Sequence, residues 1–428
     1  LQKFLKPVKS LSLHLYMRDH QIITLKNGIR VLLKPVKSQI AHCCLIINAG
    51  SRDEEVGEPG LAHFIEHLLF KETEKRNTNQ ILNRLEIVGG DLNAYTTKEY
   101  TCLQASFLKP HLERAMELLQ DIAFFSTFPA VEMEKEKEVI LDEISSYEDQ
   151  PEEAINDDFE SMIFSGHTLG ENILGTPASV KSFQKKHLVN FIAKNYNTHE
   201  IIFAVSGSYT LAKVEKLVDK YFGIIPENKS VKIRTAPKPI LTQTKRVIKP
   251  INQAHCMLGA KAYSIHEKQK PSLLLLNNLL GGTGMSSRLN LEIREKHGIA
   301  YTIESSYTPL TDTGLFSIYF GTDTEKVNKA LSLIYKELKK VRENKLGKIQ
   351  LSQAKKRFIG QIALGEENRM GVLISMAKSL LDYGKIDSLK EIYTKINGVS
   401  DEDLISVANE VLDKDNLSLL LYSPEESN

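Results

Sequence analysis

The chain has 428 residues and a formal net charge of +1, with 55 Lys and Arg against 54 Asp and Glu. Hydrophobic residues make up 42% and charged residues 25%, the balance of a globular protein of two or three domains. Near-neutral charge argues against a general nucleic-acid binder, which carries a basic excess, and no apolar run approaches the ~18 residues of a membrane span.

Residues 1–16 are basic and patchily apolar, without the continuous apolar core and small-residue cleavage site of a secretory signal. They read as an extension with no role in the fold. Strands are expected at Gln21 to Leu25, at Ile29 to Leu33 after the Lys26-Asn27-Gly28 turn, and at Ala41 to Asn48. Helical periodicity covers Gly60 to Phe70 and Thr78 to Val88. Gly89-Gly90 then breaks the helix, and Asp91 to Phe107 alternates as two strands. Helices follow at Pro110 to Ala123 and Val131 to Tyr147. Residues 223–245, with Gly223, Pro226, Pro237 and Pro239, read as a linker. Beyond it the pattern restarts. Residues 39–54 (QIAHCCLIINAGSRDE) align with 252–267 (NQAHCMLGAKAYSIHE), and each is followed by helix, Gly-Gly, a strand pair and a further helix. This is an internal duplication of about 200 residues. Cys43 and Cys256 fall at equivalent places in it, as do His42 and His255, and all four read as structural. The four cysteines form no C-x-x-C pair, which suggests free thiols in a reducing compartment, with the cytoplasm as the expected location.

The chemistry concentrates in Gly60 to Phe70. On a helix His63 and His67 lie one turn apart on one face, and Glu66 is three residues from His63. Two imidazoles and a nearby carboxylate suit zinc, although two histidines at this spacing also occur as ordinary core or surface residues. The order H-x-x-E-H reverses the H-E-x-x-H motif of zinc peptidases. A catalytic zinc needs a third protein ligand and an open position. The helix Val131 to Tyr147 offers several glutamates; Glu136 and Glu143 are two turns apart and share a face. Val139 and Ile140 between them suggest that this face turns inward. Composition alone does not choose among these glutamates.

Six stretches carry a resemblance: GLAHFIEHLLFK (60–71), GGDLNAYTTKEYT (89–101), EKEVILDEI (136–144), LGTPASV (174–180), Asn195-Tyr196 with VSGSY (205–209), and GGTGMSSRLNLEIREKHGIAY (281–301). Together they resemble the pitrilysin/insulinase family of zinc metallopeptidases across essentially the whole chain, in particular its small bacterial branch, similar to the mitochondrial processing peptidase beta subunit. The resemblance implies an α+β fold of two homologous domains, each a mostly antiparallel sheet packed with helices: a zinc-binding catalytic domain at 17–222 and its counterpart at 246–428. It also implies one zinc ion held by His63, His67 and Glu143, with Glu66 as general base and Glu136 in support. Arg294 and Tyr301 become a pair that contacts the substrate carbonyl, and Asn93, Ala94 and Tyr95 a strand on which a peptide docks. Arg294 should end a helix capped by Gly298, with Tyr301 entering a strand. Gly281 to Gly284 lacks the Gly-Lys-Ser/Thr of a phosphate loop. The expected partners are peptides and a second copy of the chain, since this chain carries both the zinc motif and the Arg/Tyr pair; neither nucleic acid nor membrane is expected. A non-catalytic scaffold, or a peptidase needing a different subunit, are the alternatives. Finally, residues 129–160 hold thirteen acidic side chains against Lys135 and Lys137, a local field that would attract basic peptides.

Overall fold

The computed structural model describes residues 20–238 and 241–424, so the expected extension at 1–16 lies outside the described residues. In the first half, strands β1 (Gln21–Thr24), β2 (Arg30–Pro35) and β3 (Ile40–Ile47) precede helices α1 (Leu61–Leu68) and α2 (Thr78–Glu86). Next come β4 (Asp91–Thr96), β5 (Thr101–Leu108), α3 (Leu112–Phe124), α4 (Ala130–Glu148) and α5 (Pro151–Ile163). The half closes with α6 (Pro177–Ser182), α7 (Lys185–Asn195), β6 (Ile201–Gly207) and α8 (Leu211–Tyr221). The second half runs β7 (Thr244–Ile248), β8 (Ala254–Ala262), α9 (Lys270–Gly281), a π-helical segment at Asn290–Glu295, β9 (Ala300–Pro309) and β10 (Gly314–Thr322). It ends with α10 (Val327–Glu343), α11 (Lys348–Gly365), α12 (Arg369–Tyr383), α13 (Leu389–Gly398), α14 (Asp401–Val411) and β11 (Ser418–Ser423). No helix among the described residues is long and apolar enough to cross a membrane.

Each half builds one sheet. The first has the order β1-β2-β6-β3-β5-β4 and the second β7-β11-β8-β10-β9. Apart from β1 the two are alike strand for strand. Among the described residues each has a single parallel pair (β2–β6, β7–β11) beside three antiparallel pairs, to which β1 adds a fourth in the first sheet. The Ala-His-Cys shared by β3 and β8 occupies corresponding places. Cys43 and Cys256 are fully buried, His42 Nδ1 hydrogen-bonds with Ser106 Oγ at 2.8 Å, and His255 Nδ1 with the Tyr319 hydroxyl at 2.9 Å.

Period-two alternation gives each sheet two apolar faces, and the halves cover them by exchange. Cys43, Leu45 and Ile47 of β3 face the first half's own helices. Cys44 and Ile46 face the other way, where Leu373, Ala377 and Leu380 of α12, a helix of the second half, pack on them. The converse holds for α5. Its Ile155, Phe159, Met162 and Ile163 pack on Met257, Tyr319, Leu420 and Tyr422 of the second sheet. Burial of each such leucine or phenylalanine is worth roughly 1.5–3 kcal/mol.

The segment expected as a linker, 223–245, ends inside β7, which starts at Thr244. Its middle is pinned rather than loose. The Arg234 guanidinium donates to both Asp53 carboxylate oxygens (2.9 and 2.7 Å) and to the Glu99 carbonyl (2.6 Å). Arg52 donates to Glu99 Oε1 at 2.6 Å, to Asp312 of the β9–β10 turn at 2.5 Å and to the Thr235 carbonyl at 2.8 Å. Loops of both halves thus meet at the strap. These ion pairs attach the linker to loops of both halves.

Candidate metal centre and active site

Helix α1 starts abruptly at Gly60, whose φ of +93° is disfavoured for any side chain. Gly175, at φ +78°, lies against it. A Cβ on Gly175 would stand 2.3 Å from the Pro59 carbonyl, so this crossing needs two glycines. The Ser179 hydroxyl donates to the same carbonyl at 2.7 Å. The buried Glu54 carboxyl accepts from the Gly60 and Ala62 N–H groups at 3.0 and 2.8 Å, which fixes the first turn. Burial pushes this carboxyl well up against the pull of those two donors. Leu61, Phe64, Ile65 and Leu68 bury the other face of α1 in the first core.

That leaves His63 and His67 side by side, ring centroids 4.5 Å apart, facing α4. Glu143 Oε2 lies 3.2 Å from His63 Nε2 and 3.6 Å from His67 Nε2. The donor atoms of His63, His67 and Glu143 all fall within 4.8 Å of one another. Ligands at ~2.0–2.1 Å around a tetrahedral zinc stand ~3.3 Å apart, close to the two distances from Glu143 to the histidines, and two imidazoles with one carboxylate is a zinc-type set. The residues present therefore fit the ion. Behind them, Glu136 bridges: Oε2 is 3.1 Å from His67 Nδ1 and Oε1 is 2.6 Å from Lys71 Nζ. This arrangement holds the His67 tautomer with Nε2 free.

The charges reinforce the cluster. Burial alone would depress His63, but the Glu143 and Glu66 carboxylates overcome it and push the imidazole up to about 9. The His63 contact in turn holds Glu143 below the ordinary carboxylate range. Burial works to raise Glu136, yet hydrogen bonds from His67 and Lys71 keep it low.

A cavity of about 210 Å³ opens beside this cluster, lined by His63, Glu66, Tyr95, Tyr147, Asp157 and Asn172 among others. Glu66 is 9% exposed; its Oε2 accepts from Thr96 Oγ1 at 2.7 Å and sits 3.7 Å from His63 Nδ1. Asp157, on α5, accepts from Asn172 Nδ2 at 3.0 Å, and burial lifts its carboxyl to about 6. Tyr147 is pushed up to about 12 by burial and by Asp157.

The structure thus brings His63, Glu66, His67, Glu136 and Glu143 together. Val139 does not share their inward face: it is 47% exposed, while Ile140 is buried. The buried stripe of α4 runs through Met133, Ile140 and Ile144, with Glu136 and Glu143 along one flank and Val139 beyond it. Asn93, Ala94 and Tyr95 lie on β4, the outer strand of the first sheet. Of the three, Tyr95 lines the cavity. Arg294 and Tyr301 are not brought to the cluster and do not line the cavity. Arg294 is the last residue but one of the π-helical segment, half exposed beside Glu295, with Gly298 at φ +59° after it. Tyr301 stands on β9, the outer strand of the second sheet, 56% exposed, donating to Asp323 at 3.3 Å. Sequence reasoning missed Glu54, Lys71, Thr96, Asp157 and Asn172. Lys71 and Thr96 stood inside the matched stretches; Asp157 was one acid among thirteen.

A two-half α+β fold with an H-x-x-E-H helix facing a glutamate defines a metallopeptidase-type architecture. The comparisons are more specific. Residues 30–177 match the family described as Insulinase (Peptidase family M16), and residues 182–358 match the Peptidase M16 inactive domain. The chain belongs to the M16 peptidase family. It is 32% identical to a Bacillus subtilis protein named uncharacterized zinc protease YmxG, over 94% of this chain and 97% of that one. It is also 32% identical to an uncharacterized zinc protease of Mycobacterium leprae, over 91% of this chain and 89% of the relative. Among solved structures, a protease from Helicobacter pylori superposes with a TM-score of 0.87 at 24% identity, covering 95% of this chain and 99% of that one. A Pseudomonas fluorescens structure described as a peptidase M16 inactive domain gives 0.85 at 20%, over 96% and 99%. All three candidate ligands lie in the half matched by the first family description.

Proposed function

We propose that the chain is a zinc-dependent endopeptidase of short or unfolded peptides. The observation that carries this is the convergence of His63, His67 and Glu143 on one point, with His63 and the neighbouring Glu66 lining a cavity. Zinc bound there would polarise the scissile carbonyl and acidify the attacking water. His63, His67 and Glu143 hold the ion, and Glu136 with Lys71 orients His67. Glu66 takes the water proton and returns it to the leaving amine. The outer edge of β4 is open to backbone pairing with an extended peptide, a mode that asks little of side-chain sequence. Asp157 and the acidic α4–α5 region favour basic side chains near the cleavage site.

The remoteness of Arg294 and Tyr301 from the cavity supports a closed homodimer, in which each chain's second half faces the partner's zinc. The test is a peptide library profiled by mass spectrometry with wild type, chelated wild type and Glu66→Gln. Cleavage by the zinc-loaded wild type alone, with zinc retained by Glu66→Gln, supports the proposal. An intact library with zinc-loaded wild type refutes it and favours a scaffold. Lys/Arg-rich peptides should be cleaved faster than acidic ones, and the preference should shrink with salt. Equal rates refute the charge argument, and full activity at a monomer mass by light scattering refutes the dimer.

A further inference from the structure

The two oxygens of Glu66 stand in different surroundings. Oε2 accepts the Thr96 hydroxyl proton at 2.7 Å and faces His63 Nδ1 at 3.7 Å. Among the described residues, none hydrogen-bonds to Oε1. Thr96 is the last rung of β4, paired with Thr101 across the hairpin. Directly after it the chain is held by Thr97 N–H to the Tyr100 carbonyl at 2.9 Å, Ser51 N–H to the Thr97 carbonyl at 3.1 Å, and Thr97 Oγ1 to the Tyr100 carbonyl at 2.9 Å. A Cβ on Gly50 would lie 2.3 Å from the Thr97 carbonyl, so the backbone here is closely packed. Glu66 extends from an eight-residue helix on a side chain with three torsions. The hydroxyl that meets it therefore comes from a fixed point.

We infer that Thr96 is a positioning residue for peptide hydrolysis: it holds Glu66 Oε2, makes Oε1 the atom that moves the proton, and ties that atom to the strand on which the peptide pairs. The inference rests on the peptidase reading above. Water loses a proton to Oε1 as its oxygen bonds to the carbonyl carbon. The new Oε1–H bond then breaks to protonate the amide nitrogen as the C–N bond cleaves, and the carboxylate is restored. Oε2 accepts the Thr96 hydroxyl throughout, because a protonated carboxyl keeps an acceptor oxygen. Protonation at Oε2 instead would require the Thr96 hydroxyl to turn and accept, giving up its donation to the carboxylate. Thr96 exchanges no proton.

The experiment uses zinc-loaded full-length protein with Thr96→Val, Thr96→Ser and Glu66→Gln. On a fluorogenic peptide, Thr96→Val should lower kcat about 10–100-fold, the usual effect of losing such a support, with KM within about twofold. Thr96→Ser, which keeps the hydroxyl, should restore kcat to within about threefold. Zinc per chain should not change. Peptide affinity, read by anisotropy in the Glu66→Gln background, should not change with Thr96→Val. In metal-free protein, the shifts in unfolding temperature caused by Thr96→Val and Glu66→Ala should be non-additive, since each removes the same hydrogen bond. Wild-type kcat in Thr96→Val, a loss that Thr96→Ser does not rescue, or a loss that tracks zinc or peptide affinity overturns the inference. So do additive shifts in the metal-free protein. A zinc-loaded wild type that cleaves nothing fails at the earlier step and removes the peptidase reading itself.

Discussion

Asp157→Asn should make the protein more stable at pH 8 and leave it nearly unchanged at pH 4. Burial in the cavity wall raises the Asp157 carboxyl from an ordinary value near 3.8 to about 6. The folded state therefore keeps a proton that the unfolded chain releases between these values. Stability falls as pH rises through that window and stays lower above it. Two units at ~1.4 kcal/mol each set an upper limit of about 3 kcal/mol. Solvent reaching the carboxylate through the cavity reduces this to about 1–2 kcal/mol. Asparagine cannot ionise and keeps an oxygen for the Asn172 amide, so it recovers that amount at pH 8 only. Urea unfolding of chelated wild type and variant at both pH values measures it. Equal gains at the two pH values, or a loss at pH 8, would refute the reasoning. A carboxylate that burdens the fold at working pH is one that the cavity needs, so the same variant should lose affinity for basic peptides.

Three further outcomes are expected. Glu136→Gln and Lys71→Met should each weaken zinc binding about 10–100-fold in a chelator competition, because each loosens the hold on His67; unchanged affinity would argue against that bridge. Gly175→Ala should cost about 1–3 kcal/mol of stability and lower activity, since a Cβ there collides with the Pro59 carbonyl at the root of α1; a neutral thermal midpoint would contradict it. Phe159→Ala, in the first half, should destabilise by about 3–5 kcal/mol and speed hydrogen exchange in β8 and β11 of the second half, where its ring is buried. Exchange changes confined to residues before 222 would count against the helix exchange.

What the sequence disclosed follows the range of the interactions involved. Strand alternation and helical period are local, and they located β2, β3, α1, α2 and α4 to within a residue or two. The spacing of His63 and His67 is also local, so their shared face was legible. The choice of Glu143 over its neighbours was not; it came from the resemblance, because α4 carries glutamates on every side. Val139 was misplaced because three and four residues from Glu136 lead to opposite sides of it, Ile140 into the buried stripe and Val139 out toward solvent, and only packing decides which side is covered. Asp157 and Thr96 were illegible as site residues, since their place depends on where α5 and the β4 turn meet α1. The anchoring of the linker was illegible, because the partners of Arg234 and Lys232 are known only once Asp53 and Glu99 are seen opposite them.

The crossing of α5 and α12 bears on how such a chain could arise. If one half existed alone as a separate product, its sheet would be covered on one face and bare on the other, and its crossing helix would have nothing to lie on. Two such copies would satisfy each other by trading helices, as swapped dimers do. Joining them end to end turns a concentration-dependent pairing into an intramolecular one, with a short tether supplying an effective concentration in the millimolar range. On that route the strap is the tether, and the buried ion pairs around it hold the two copies in place.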